Sequence, residues 1–163
     1  ILQNRDLNED YLQWLNDQSN DFYTGHAIWP NTIESMTKFV KKMNISRSDL
    51  FLGIVRKDNN SHIGNIGVHN ISWINKSAEI KILVGKKDSQ NSGFGKEAIN
   101  LIVKHSFAKL NLHRLELGVH CKNERAIRAY KSCGFLEEGV FKDAICRNGI
   151  FWDVLRMSIL NNK

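Results

Sequence analysis

The run Gln90-Asn91-Ser92-Gly93-Phe94-Gly95 constrains this chain more than any other, because it follows the apolar stretch Ile80 to Val84 and opens a long amphipathic segment. A strand, a glycine turn and a helix start, in that order, gather backbone N–H groups and the positive end of a helix dipole in one concavity suited to a phosphate. Gly93 and Gly95 let the main chain approach such a ligand with no Cβ in the way. A phosphorylated ligand is therefore expected. The spelling is not a P-loop, since Gly95-Lys96 is followed by Glu97 and no glycine stands five positions earlier. The dinucleotide fingerprint fits no better. Its third glycine would be Ala98, its acidic ribose partner would be Glu116 inside an apolar run, and only one such unit is present.

The rest of the chain supplies the elements around that turn. Asn8 can cap a helix carrying Tyr11, Leu12, Trp14 and Leu15, and Thr32 a second one with Ile33, Met36, Phe39, Val40 and Met43 at helical spacing. Between them Gln18 to Asn31 reads as an irregular aromatic loop ending at Trp29-Pro30, so the pair forms a candidate substrate lid. Leu50 to Val55, Ile63 to Val68 and Ala78 to Val84 read as an antiparallel meander turned at Asp58–Ser61 and Asn75-Lys76. The helix from Gly93 to about Lys109 has apolar residues on two faces, Phe94, Ala98, Leu101, Ile102 and His105 on one and Ile99, Val103, Phe107 and Leu110 on the other, and is expected to be buried on both. Leu115 to Val119 follows a helix and so runs parallel to Ala78 to Val84. Asn123 caps the next helix, Gly134 ends it, and a hairpin turned at Asn148-Gly149 closes the chain. The expected fold is α/β (α+β): one domain over residues 1–163, with a mixed, mostly antiparallel twisted sheet flanked by helices.

The spelling does match Gln/Arg-x-x-Gly-x-Gly/Ala, and Asn123-Glu124-Arg125-Ala126-Ile127-Arg128-Ala129-Tyr130-Lys131-Ser132-Cys133-Gly134-Phe135 matches Asn-x-x-Ala-x-x-x-Tyr-x-x-x-Gly-Phe. In that order and after a strand, the two segments resemble the GNAT superfamily of acetyl-coenzyme A dependent N-acetyltransferases. Trp14-Leu15-Asn16-Asp17, Asn148-Gly149 and Trp152-Asp153-Val154 resemble the branch containing ribosomal-protein alanine, spermidine and amino-sugar acetyltransferases. Asn91 departs from that branch, which usually has a further glycine there, so a stiffer phosphate turn is expected.

The resemblance implies acetyl-CoA as cosubstrate, with its pantetheine arm pairing to the main chain of Ile82, Leu83 and Val84 between two splayed parallel strands. It places the pyrophosphate on Gln90, Asn91, Ser92, Gly93, Phe94, Gly95 and Lys96, gives Asn123 a second role as a pantetheine partner, and makes Tyr130 the acid that protonates the leaving thiolate. Glu79 is the candidate base and acceptor contact, with His26, His69 and His120 as alternatives. Trp14, Phe22, Tyr23 and Trp29, with amide and carboxylate groups nearby, form the expected acceptor lining. They point first to an amine on a sugar nucleotide, with a protein N-terminus or a polyamine as alternatives and a CoA-binding regulatory module as the non-enzymatic one. Acidic residues such as Asp21 and Glu34 keep the polyamine reading open against the positive net charge.

Composition narrows the remaining classes. A chain of 163 residues with 42% hydrophobic content can fill one core. No stretch approaches a membrane span, and the charged, Asn-rich start lacks a signal-peptide pattern, so a cytoplasmic protein is expected. Cys121, Cys133 and Cys146 are too few and too scattered for a disulfide framework, and no metal site is expected. The net charge of +6 has no basic run behind it, so the partner is a small-molecule amine rather than nucleic acid, and a homodimer is compatible. Because residue 1 is Ile, a short native segment is expected to precede it.

Overall fold

Local signals place the elements, and burial assembles them. A computed structural model describes residues 1–2, 6–17, 23 and 25–162; the expectations for Asp21 and Phe22 fall outside these. Helix α1 (Glu9–Asn16) starts where the Asn8 carbonyl oxygen of the side chain accepts from the Tyr11 N–H at 3.0 Å. Helix α2 (Ile33–Ile45) starts with a reciprocal capping box between Thr32 and Ser35. Six strands follow, β1 (Leu50–Val55), β2 (His62–Ser72), β3 (Ser77–Val84), β4 (Arg114–His120), β5 (Leu136–Arg147) and β6 (Ile150–Leu160), with α3 (Phe94–Ala108) and α4 (Glu124–Ser132) around β4. Their order in the sheet is β1-β2-β3-β4-β6-β5, and only β3–β4 is parallel.

The sheet separates two cores. Ile66, Val68, Ala78, Ile80, Leu115 and Leu117 pack on one face against α3 and α4, while Leu2, Tyr11, Met36 and Val40 of the α1–α2 side pack on the other with Phe51. Because side chains alternate along a strand, Glu79, Lys81, Glu116 and Gly118 belong to the α1–α2 face.

Three local features differ from expectation. Helix α3 buries one face only, through Ala98, Ile99, Ile102, Val103 and Ser106, and leaves Leu101 62% exposed. A single broad stripe suffices to meet the sheet and α4, which lie against it. Strand β2 runs four residues beyond Val68, since an irregularity between His69 and Ser72 lets Asn70 take a left-handed φ of 53° while Asp49 accepts its N–H at 3.3 Å. In α2, Ile33 and Phe39 stay exposed while Met36, Val40 and Met43 carry the burial. The closing hairpin turns at Asn148 and Gly149, both at positive φ, as a two-residue loop of the right-handed-twist type requires.

Candidate active site

The parallel pairing of β3 and β4 stops almost as soon as it begins. Ser77, Ala78 and Glu79 oppose Arg114, Leu115 and Glu116, and the pairing ends there. Ile82, Leu83 and Val84 pair with Ile66, Asn65 and Gly64 of β2 on one side. Their other side faces the gap toward β4, an opened edge that an extended ligand can occupy as an added strand.

The glycine turn closes the wide end of this gap. Gly93 is the N-cap of α3 at φ 85°, and a Cβ there would meet nothing within 4 Å, so the turn opens outward. A Cβ on Gly95 would lie 3.5 Å from Val84 and 3.9 Å from Ile82, which sets the turn directly against the β3 edge. The Gln90 side chain donates to the Val84 carbonyl at 2.9 Å, tying turn to strand rather than reaching outward. Asn91 adopts φ 61°, the left-handed conformation a glycine would supply, and its side-chain oxygen accepts from Arg125 at 3.1 Å. Ser92 and Lys96 are exposed, and the Phe94 ring lies 5.1 Å under the Arg56 guanidinium. The segment from Gln90 to Lys96 therefore has the open backbone and positive charge that a pyrophosphate needs.

On the β4 side, the Asn123 side chain accepts from the Ala126 N–H at 3.2 Å, leaving its amide group outside the cap. About two turns after Asn123, Tyr130 packs edge-on to Phe135, and burial pushes its phenol up to about 12. At neutral pH it carries its proton, as a general acid must. Cys133 is half-buried against the same core, with its thiol pushed up by burial.

Around the narrow end lie charges that alternation along the strands puts on one face. Glu79 contacts Lys81 at 3.3 Å and Arg156 at 3.7 Å. Arg156 also donates to Glu116 at 3.0 Å, and Arg114 joins Glu116 to Glu138, whose carboxyl falls to about 2 beside Arg114 and Ser158. The three histidines separate. His26 is exposed, and His69, the cross-strand neighbour of Glu79, is committed to Asp49 at 3.1 Å. His120 is buried, and desolvation, Lys122 and Arg147 lower its pKa. Its Nδ1 accepts the Lys122 N–H at 3.1 Å, so the neutral ring carries its hydrogen on Nε2.

The described members of the expected aromatic lining sit in different surroundings. Trp14 is wedged against the end of β3, so close that a Cβ on Gly85 would fall 2.2 Å from its indole, and it packs with Tyr11 and His62. Tyr23 stands edge-on to His120 at 5.4 Å, and Trp29 is 80% exposed. A further aromatic, Trp152, packs at a tilt against His120 at 5.2 Å and lies under Lys122 at 4.3 Å. The Trp14–Gly85, Trp152–His120 and Arg156–Gly118 contacts join residues far apart in sequence, and only Gly118, a glycine inside an apolar strand, signals one of them in advance. A depression of about 420 Å³ between Arg47, Trp73 and His105 lies away from the cleft, toward the opposite end of β2.

Residues 2–136 match the family model described as an acetyltransferase (GNAT) domain. Spermidine N(1)-acetyltransferase of Vibrio cholerae is 39% identical over 101 residues, covering 62% of this chain and 58% of that protein. Uncharacterized N-acetyltransferase YoaA of Bacillus subtilis is 33% identical over 108 residues, covering 66% and 60%. These two curated relatives are thus matched over less than two thirds of their own length. The crystal structure of the Vibrio cholerae spermidine N-acetyltransferase in complex with CoA and spermine superposes with a TM-score of 0.88 at 28% identity, covering 98% of this chain and 92% of that one. The splayed parallel pair, the glycine turn at its mouth and the capped helix bearing Tyr130 agree with that likeness, and the chain belongs to the GNAT acetyltransferase family.

Proposed function

We propose that this protein is an acetyl-CoA-dependent N-acetyltransferase that acetylates a primary amine of a small polyamine by direct transfer. The observation that carries the acceptor is the 39% identity to a spermidine N(1)-acetyltransferase, supported by the likeness to a structure holding CoA and spermine. It replaces the sugar-nucleotide amine suggested by the sequence, whose stacking surface would need Trp14 and Trp29 free and side by side. Self-association is part of the proposal, since one similar structure, the Vibrio cholerae enzyme, is dodecameric.

In this reading the coenzyme supplies an activated acyl group and a thiol leaving group. The amides from Gln90 to Lys96 hold its pyrophosphate, and the free edge of Ile82–Val84 holds its arm in register. Holding amine and thioester in one orientation supplies much of the acceleration without a covalent enzyme intermediate. Glu79 takes the surplus ammonium proton through a water, and Tyr130 returns a proton to the thiolate. The test is thiol release from acetyl-CoA with spermidine, spermine, a nucleotide-linked amino sugar and short peptides. The polyamines should give the highest kcat/KM. A higher value with the amino sugar or a peptide overturns the acceptor, and no thiol release with any amine overturns the activity.

A further inference from the structure

Arg156 sits where the two strands of the cleft part. Pairing ends at Glu79 and Glu116, so continuing the parallel register puts Lys81 level with Gly118, two residues into the gap. At that level the Arg156 guanidinium lies close against β4: a Cβ on Gly118 would fall 2.9 Å from Nη1. Gly118 is thus the residue that lets the guanidinium reach across the strand. Arg156 is only 22% exposed, donates to Glu116 at 3.0 Å, approaches Glu79 at 3.7 Å and lies 5.6 Å over the Phe141 ring. One side chain therefore spans both arms of the cleft on the α1–α2 face, with donors to spare beyond its carboxylate partners.

An arm paired along Ile82–Val84 and entering from the glycine turn brings its next atoms to the Lys81–Gly118 level. We propose that Arg156 is a catalytic residue at that level, donating to the thioester oxygen as it gains negative charge, with Glu116 as the positioning residue that aims the guanidinium. The inference rests on the acetyl-transfer reading above. As the amine nitrogen bonds to the carbonyl carbon, the C=O electron pair moves to oxygen, opposite Arg156. When the pair returns, the C–S bond breaks and the thiolate takes the Tyr130 proton; Glu79, having passed the earlier ammonium proton to solvent, takes the second N–H proton through water, and Tyr130 is reprotonated from solvent. A fixed donor aimed at the developing oxyanion acts in a partly desolvated site, where it is worth more than in bulk water.

The test uses the full chain and three variants, Arg156→Met, Arg156→Lys and Gly118→Ala, each checked for folding by thermal melting. Removing one oxyanion donor costs about 10² to 10³ in turnover. Arg156→Met should therefore lose about that much kcat with spermidine while its affinity for CoA, which has no acyl group, is unchanged; Arg156→Lys should recover part of the loss. The readout independent of turnover is the NMR resonance of acetyl-CoA isotope-labelled at the thioester carbonyl and bound without an acceptor. It should move downfield in the wild type and return toward its free position in Arg156→Met. Gly118→Ala keeps the charge but pushes the guanidinium aside, and should weaken the same shift. An Arg156→Met variant with wild-type kcat and an unmoved carbonyl resonance overturns the proposal, as does equal loss of CoA and acetyl-CoA affinity. If Arg156→Met fails to fold, an unaltered resonance in Gly118→Ala overturns it. A wild type that shows the Arg156-dependent shift yet acetylates no polyamine supports this inference while refuting the acceptor.

Discussion

Gly93 allows backbone strain and ligand electrostatics to be separated by two substitutions at one position. Its φ of 85° lies in the region that costs an L-residue about 1 to 2 kcal/mol, yet a Cβ there meets nothing within 4 Å. Gly93→Ala should therefore lose about 1 kcal/mol in the free protein, which for a chain of this size is a fall of roughly 2–4 °C in Tm, and Gly93→Asp should lose no more, since a carboxylate is favoured at the N-terminus of α3. They should part company with the coenzyme present. A carboxylate about 4 Å from a phosphate charge is opposed by up to about 4 kcal/mol at an effective dielectric near 20. Wild-type protein at a coenzyme concentration 100-fold above Kd gains about 2.7 kcal/mol, and Gly93→Asp should lose nearly all of that gain while Gly93→Ala keeps a measurable part. The assay is differential scanning calorimetry with and without CoA, with titration calorimetry for Kd. Equal coenzyme affinity in Gly93→Asp and wild type would show that the open side of this turn does not face the phosphates.

Tyr130→Phe should keep coenzyme affinity and lose about 10² to 10⁴ in turnover, since it removes a proton donor but leaves the ring on Phe135; unchanged kcat in pre-steady-state acetyl transfer returns Tyr130 to a packing role. Burial raises both Tyr11 and Tyr130 to about 12, above their unfolded value near 10, so each contributes stability that is fully present below about pH 10 and is lost as the pH rises toward 12. Urea titrations should show that loss, of roughly 2 to 3 kcal/mol per tyrosine at most, and Tyr11→Phe should remove its share; a curve identical to wild type contradicts the assigned burial. Trp29→Ala should change stability by less than about 0.5 kcal/mol and leave the acceptor KM alone, because the indole is 80% exposed; a raised KM in steady-state kinetics would bring Trp29 back into the acceptor site.

The parts of this fold written in local chemistry were legible in the sequence. Asn8, Thr32 and Asn123 cap the helices they were expected to cap, and the Asn148-Gly149 hairpin and the parallel β3–β4 pair follow from turn residues and an intervening helix. Long-range placement was not legible. The periodicity of α3 fits a helix buried on one face or two, and only the position of α4 decides that Leu101 stays in solvent. Trp14 and Trp29 look equally suited to line a pocket, yet Gly85 leaves a slot for one while the other is 80% exposed. The departure at Asn91 resolves the same way: an asparagine can adopt the left-handed conformation itself, and Arg125, 34 residues away, supplies the partner for its side chain.

The central claim is acetyl transfer from acetyl-CoA to a polyamine, and one competition measures it most directly. Spermidine, a nucleotide-linked amino sugar and a short peptide with a free N-terminus are mixed at equal concentration with the protein and limiting acetyl-CoA, and the acetylated products are identified by mass spectrometry. The account predicts that N-acetylspermidine takes most of the acetyl groups and that Gly93→Asp abolishes its formation. Acetyl groups found mainly on the amino sugar or the peptide, or formed as well by Gly93→Asp as by wild type, would contradict it.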